Sequence, residues 1–168
     1  MWPDAGTDTL TPDPTIREPR RSESPTIREH SGVDKVTWKP KPDAHDYPAA
    51  ASYLSLIVTS AQASDLVEQL KVAPLDHYKA KDILRASGLP LLAPDNAHVA
   101  ADLAKVKKNK ELSPILLIRG DLTRGIALQI ADGYHRVCAS YHLDENTDIP
   151  CLIAEHPSAH PSHPKAAE

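Results

Sequence analysis

Three short apolar runs near the C-terminus constrain the fold more than any other feature of the chain: "SPILLIR" (113–119), "IALQIA" (126–131) and "DIPCLIAE" (148–155). Short continuous apolar runs bounded by turn residues predict buried strands. "GDLTRG" (120–125) supplies turn chemistry between the first two. Pro150 opens the third, which suits an edge strand or the first residue of a strand. Between the second and third lies "YHRVCASYHL" (134–143), a helix by spacing, with Val137, Cys138 and Tyr141 on one side. Four helical segments precede them. The first covers 48–58. The second, 60–73, has Ser60 as its N-cap and Leu66, Val67 and Leu70 on one face. The third, 77–87, is ended by Gly88 and Pro90. The fourth, 96–110, is capped by Asp95 or Asn96. It turns Val99, Leu103 and Val106 inward and Lys105, Lys107, Lys108 and Lys110 outward. Helices followed by strand, strand, helix, strand predict an α+β fold, a short mixed sheet packed with helices.

Composition sets the limits. Phe is absent and aromatic residues are 4% of the chain, so Leu, Ile, Val and Ala must build the core. Residues 1–44 are polar and rich in Pro, Ser, Thr, Arg and Asp, a composition that predicts a disordered arm. "PTIRE" occurs twice there, at Pro14–Glu18 and Pro25–Glu29. It reads either as a docking peptide for a protein partner or as a chance duplication. The folded domain is expected over 45–155, with a helical pair at 48–73 and a core at 77–155. The tail 156–168, "HPSAHPSHPKAAE", again predicts disorder. A net charge of −4 argues against a surface that grips nucleic acid, so DNA is not an expected partner. Cys138 and Cys151 fall on apolar positions and read as small buried hydrophobes in a reducing compartment. Met1 is followed by no basic region and no apolar stretch, and no run approaches the ~20 residues that span a bilayer. A cytoplasmic protein without a membrane partner is expected.

The chemistry concentrates in "IADGYHRVCAS" (130–140). A strand that turns through Gly133 into a helix leaves the first backbone N–H groups of that helix unpaired and its positive dipole end exposed, a ready anion seat. His135 and Arg136 add donors, and a guanidinium fork matches phosphate oxygens. Asp132 and His135 are the candidate catalytic groups, Asp132 either as a base on a bound hydroxyl or as a group that holds a magnesium ion through water. In the plainer reading, Asp132 only caps the helix and Arg136 is solvated. Lys81 and Arg85, one helical turn apart, could line the same seat from the opposite wall or form a wet basic stripe. Neither GxxxxGK[ST] nor GxGxxG is present.

The stretch from about 81 to 154 resembles the ParB/sulfiredoxin superfamily. Two segments carry the resemblance: "ILRASGLPLLAPDNAHVAADLAKV" (83–106), and 113–154 with its Pro-led strand, hairpin, Gly-x-x-Arg helix start, Ala-containing helix and closing strand after Ile-Pro. The resemblance implies a ParB/sulfiredoxin-like fold with an extra N-terminal helical pair. It also implies binding of ATP or CTP, with the phosphates against Gly133, Tyr134, His135 and Arg136. The Asp-Gly-Tyr-His-Arg box is most like the Asp-Gly-His-His-Arg variant of ParB-like proteins, including free-serine kinases. Arg85 matches an arginine before the family's helix. His98, Ala101 and Lys105 stand where sulfiredoxins place Lys, Ser and Thr to meet the nucleotide. Tyr134 stands where sulfiredoxins carry their catalytic Cys, so sulfinic-acid repair is not expected. The residues after the last strand leave no room for a helix-turn-helix domain.

Three functions follow as expectations. The first is a domain that binds a nucleotide or another phosphorylated small molecule, working as a phosphotransferase or nucleotide hydrolase through Asp132–Arg136. The second is a non-catalytic ligand-sensing or protein-interaction module. The third is a ParB-like nuclease, against which the acidic charge speaks. The helical pair at 48–73 either caps one face of the sheet or makes a homodimer contact.

Overall fold

The structure is a computed structural model that describes residues 35–157. The PTIRE copies, the arm before residue 35 and the tail after 157 lie outside the described residues. Helices α1 (Asp46–Leu54) and α2 (Ser60–Val72) come first. Strand β1 (Asp76–Lys79), α3 (Ala80–Ser87), α4 (Ala97–Lys107), β2 (Ile115–Ile118), β3 (Gln129–Asp132), α5 (Tyr134–Leu143) and β4 (Asp148–Ala154) follow, with a 3-10 turn at Leu122–Arg124. The chain is α+β, with a four-stranded mixed sheet in the order β1-β4-β2-β3. β2 runs parallel to β4 and antiparallel to β3, and β1 runs antiparallel to β4.

Alternation along the strands divides the core into two faces. Ile115 and Leu117 of β2, Ile130, Ile149 and Cys151 meet Ile83 and Leu84 of α3, Val99 of α4, and Val137 and Cys138 of α5. Leu116, Ile118, Ala131, Leu152 and Ala154 face the other way, onto Ala50 and Leu54 of α1 and Leu66, Val67 and Leu70 of α2. The N-terminal helical pair therefore caps the second face of the sheet. β2 is buried on both faces, which is why "ILLI" reads as an unbroken apolar run.

Four expectations are corrected. The helix expected over 77–87 begins at Ala80, because Asp76–Lys79 pair with 148–151 as an edge strand. Thr59, not Ser60, caps α2, in a reciprocal capping box with Gln62. Pro150 is the third residue of an inner strand. The ladder to β2 begins only at Cys151, so at Pro150 the strand is paired on one side alone and its missing N–H costs little. Residues 35–44 belong to the fold. Val36 is buried against Val106 and Leu112, and Trp38 bridges to Leu112. Asn96 caps α4 and Gly88 ends α3 in the left-handed conformation, both as expected. No described helix is long and apolar enough to cross a membrane.

Candidate functional site

The start of α5 is built by the β2–β3 pairing. The register slips by one residue between Leu116 and Leu117, leaving Ala131 as an extra residue immediately before Asp132. The chain then turns through Gly133 at φ +100°, a conformation that suits glycine alone. A Cβ there would lie 2.5 Å from the Ile115 Cδ1 and 3.2 Å from the Arg136 guanidinium. Gly133 thus brings the helix start tight against β2. No side chain caps α5. Asp132 does not serve as a cap, because its carboxylate turns to Arg136 instead.

Arg136 is the hub. Its side chain is 12% exposed and ion-pairs with Asp132 and with Asp46 of α1, the latter at 3.4 Å. It also donates to the carbonyl oxygens of Ser113 and Pro114, at 3.0 and 3.5 Å. Asp46 is 2% exposed and accepts from the Ser113 hydroxyl and, at 2.9 Å, from the Asp43 N–H. Burial pushes the Asp46 carboxyl up, but Ser113, Arg136 and the Asp43 N–H outweigh it and hold the group below its ordinary value. Burial raises Asp132. The Arg136 charge opposes the rise, the neighbouring Asp46 adds to it, and the net direction is upward.

Above this hub lies a cleft of about 570 Å³, within the roughly 300–1,000 Å³ of small-molecule sites. α4 contributes His98, Ala101, Asp102 and Lys105. α5 and its approach contribute Asp132, Gly133, His135 and Arg136. Lys39, Asp43, His45 and Asp46 come from the N-terminal segment, and Lys110, Glu111, Leu112 and Ser113 from the approach to β2. The His98 and His135 rings stack with centroids 4.7 Å apart. Lys39 pairs with Asp43 and Lys105 with Asp102, at 2.8 and 2.7 Å. With the histidines neutral, five carboxylates face four cations. The wall as a whole is slightly acidic.

Of the residues singled out by sequence, Asp132, Gly133, His135, Arg136 and His98 meet at this cleft. Tyr134 does not. Its hydroxyl donates to the Pro90 carbonyl and its ring packs on the core. Lys81 donates to Asn146 and Arg85 pairs with Asp82, and neither lines the cleft. Cys138 and Cys151 are free and buried, and burial raises both thiols, Cys151 to about 12. Asp46, Ser113, Lys39 and Lys110 were not singled out as site residues by sequence. Among the described residues no group of three His, Cys, Asp or Glu is placed to hold a metal ion.

His135 gives the cleft a pH dependence. Burial holds its imidazole below the ordinary value, with His98 and Arg136 adding to the effect and Asp102 opposing it. A histidine whose folded value is depressed stabilises the fold while neutral. That contribution is complete above the unfolded value, ~6.5, and is lost as pH falls through it toward the folded value. In urea midpoints measured at about pH 7.5 and about pH 5.5, His135→Gln should therefore lose less stability than the wild type on the acid side, where the raised Asp132 carboxyl, common to both, pulls the other way.

No family model matches the chain, and neither a curated protein nor a solved structure matches it.

Proposed function

We propose that the chain binds a nucleotide or a related phosphorylated small molecule in the α4–α5 cleft. The observation that carries this reading is convergence. The helix face bearing His98, Ala101 and Lys105 and the Gly133–Arg136 helix start line one cleft of mononucleotide size. The sequence resemblance to the ParB/sulfiredoxin superfamily points to ATP or CTP. Uncapped N–H groups at the start of α5, with Lys39, Lys105 and Lys110 on the wall, are suited to phosphate oxygens. Five carboxylates against four cations make a bare polyanion a poor guest, so the nucleotide is read as arriving with magnesium on its phosphates. No protein ligand is assigned to that ion. The buried free thiols accord with a cytoplasmic setting.

Asp132 and His135 are two of the groups on the wall able to move a proton, and phosphotransfer or nucleotide hydrolysis is the activity they would serve. One observation favours binding without turnover. An arginine that stabilises charge on a transferring phosphoryl group needs free donors, and Arg136 spends its own on Asp46, Asp132 and two carbonyls.

Thermal shift with ATP, CTP, GTP and inorganic phosphate, each with and without magnesium, tests the reading. A ligand that binds only the folded state raises the midpoint by mass action. A magnesium-dependent shift with one nucleotide, larger than that with phosphate, is expected in the wild type. It should be lost in Lys110→Ala, an exposed change on the same wall, whereas Lys105 is left in place because it faces the buried Asp102 carboxylate. No shift with any nucleotide contradicts the reading.

A further inference from the structure

We propose that Asp46, carried in on α1, is a positioning residue that keeps a shared proton on Asp132, so that Asp132 faces the cleft as a neutral group rather than as an anion. The role of that neutral group toward a phosphorylated ligand rests on the function proposed above. The proton's location does not.

Two carboxylates and one cation meet at the start of α5. Arg136 Nη2 reaches Asp46 Oδ1 at 3.5 Å and also bonds Asp132 Oδ2, so a single guanidinium serves two carboxylates. Two like charges crowded in a water-poor site do not both ionise cheaply. Surroundings decide which gives way. Asp46 has the Ser113 hydroxyl, the Asp43 N–H and Arg136 as donors, all of which favour its ionised form. Among the described residues Asp132 has Arg136 as its only donor, and its other side-chain hydrogen bond runs to Asp46, which favours the protonated form. The proton therefore resides on Asp132, the less buried of the two, with 20% of its side chain exposed against 3% for Asp46.

Other charges around Asp132 do not reverse this. α5 presents Arg136 and His135 to it, and His45 Nε2 lies 3.4 Å from Asp46 Oδ1, not on Asp132. Across the cleft α4 offers His98, Asp102 and Lys105, and Lys105 pairs with Asp102. Lys39 pairs with Asp43. Lys110 and Glu111 share the remaining rim. A neutral Asp132 also balances a wall that otherwise carries one carboxylate too many for an anionic guest.

Carboxyl-detected NMR titration of the full chain without ligand reads the proton directly. In the wild type, Asp132 should keep its proton to higher pH than a solvent-exposed aspartate, while Asp46 stays ionised to lower pH. Asp46→Asn leaves Asp132 alone with Arg136, and its proton affinity should fall by about tenfold or more. Ser113→Ala removes one donor from Asp46 without touching Asp132. It should move the two titrations toward each other, Asp46 up and Asp132 down, and it decides the matter if Asp46→Asn does not fold. An Asp132 titration unmoved by Ser113→Ala, or a proton found on Asp46 in the wild type, overturns the proposal. With magnesium nucleotide present, affinity should weaken as pH rises through the Asp132 midpoint, and Asp132→Asn, uncharged at every pH, should abolish that dependence. If the titrations behave as expected but no nucleotide binds, the function proposed above fails and the proton assignment stands.

Discussion

Arg136→Ala is expected to unfold the chain or nearly so, with a loss of about 3–5 kcal/mol in urea denaturation. The substitution removes the cation held between Asp46 and Asp132 and leaves the Asp46 carboxylate, 2% exposed, without its guanidinium. It also takes away the donors to the Ser113 and Pro114 carbonyls at the entrance to β2. A solvated arginine on a first helical turn would contribute almost nothing by comparison, so the magnitude separates the two roles sharply. Arg136→Ala is therefore a folding variant. Ligand binding has to be probed at Lys110 or His98, exposed side chains of the cleft wall.

Leu54→Ala is expected to cost about 2–5 kcal/mol, the range for deleting a fully buried leucine. Leu54 ends α1 and is 0% exposed, packed in the cluster that joins α1 and α2 to Leu116, Ile118 and Leu152. A helical pair reserved for contact with a second copy would leave that residue open to solvent in the monomer, and its truncation would be near neutral. The same cluster explains why α1 can deliver Asp46 with fixed geometry. The helix is anchored on the sheet at Ala50 and Leu54, and Asp46 is its first residue.

The parts of the fold legible in the sequence are those where local signals and packing agree. α5 runs over Tyr134–Leu143 as its spacing predicts, because Gly133 starts it and Asp144 leaves helical geometry at its end. β2 is legible because both of its faces are buried. β1 was missed because "DHYK" has no apolar alternation and runs straight into a helix, so only its pairing with β4 makes it a strand. The Thr59 cap was readable, since Thr-x-x-Gln is a capping box.

The candidate site divides in the same way. Asp132–Arg136 was visible as a helix start with unusual donors. Its partners were not, because Asp46 lies 90 positions from Arg136 and Ser113 23 positions away, and nothing local ties them together. A polar, proline-rich composition also placed the domain boundary at residue 44, which put Lys39 and Asp43 outside the fold. Lys81 and Arg85 were correctly seen as one turn apart on a helix, but that stripe ends in pairs with Asn146 and Asp82 away from the cleft.

The most direct test of the account is a map of backbone amide shifts on titration with magnesium ATP or magnesium CTP. The account predicts saturable changes clustered at His98–Lys105 and Gly133–Arg136, the two segments that line the α4–α5 cleft. Changes confined to the separate cleft beside Trp38 and Leu143, or no changes at either, would contradict it.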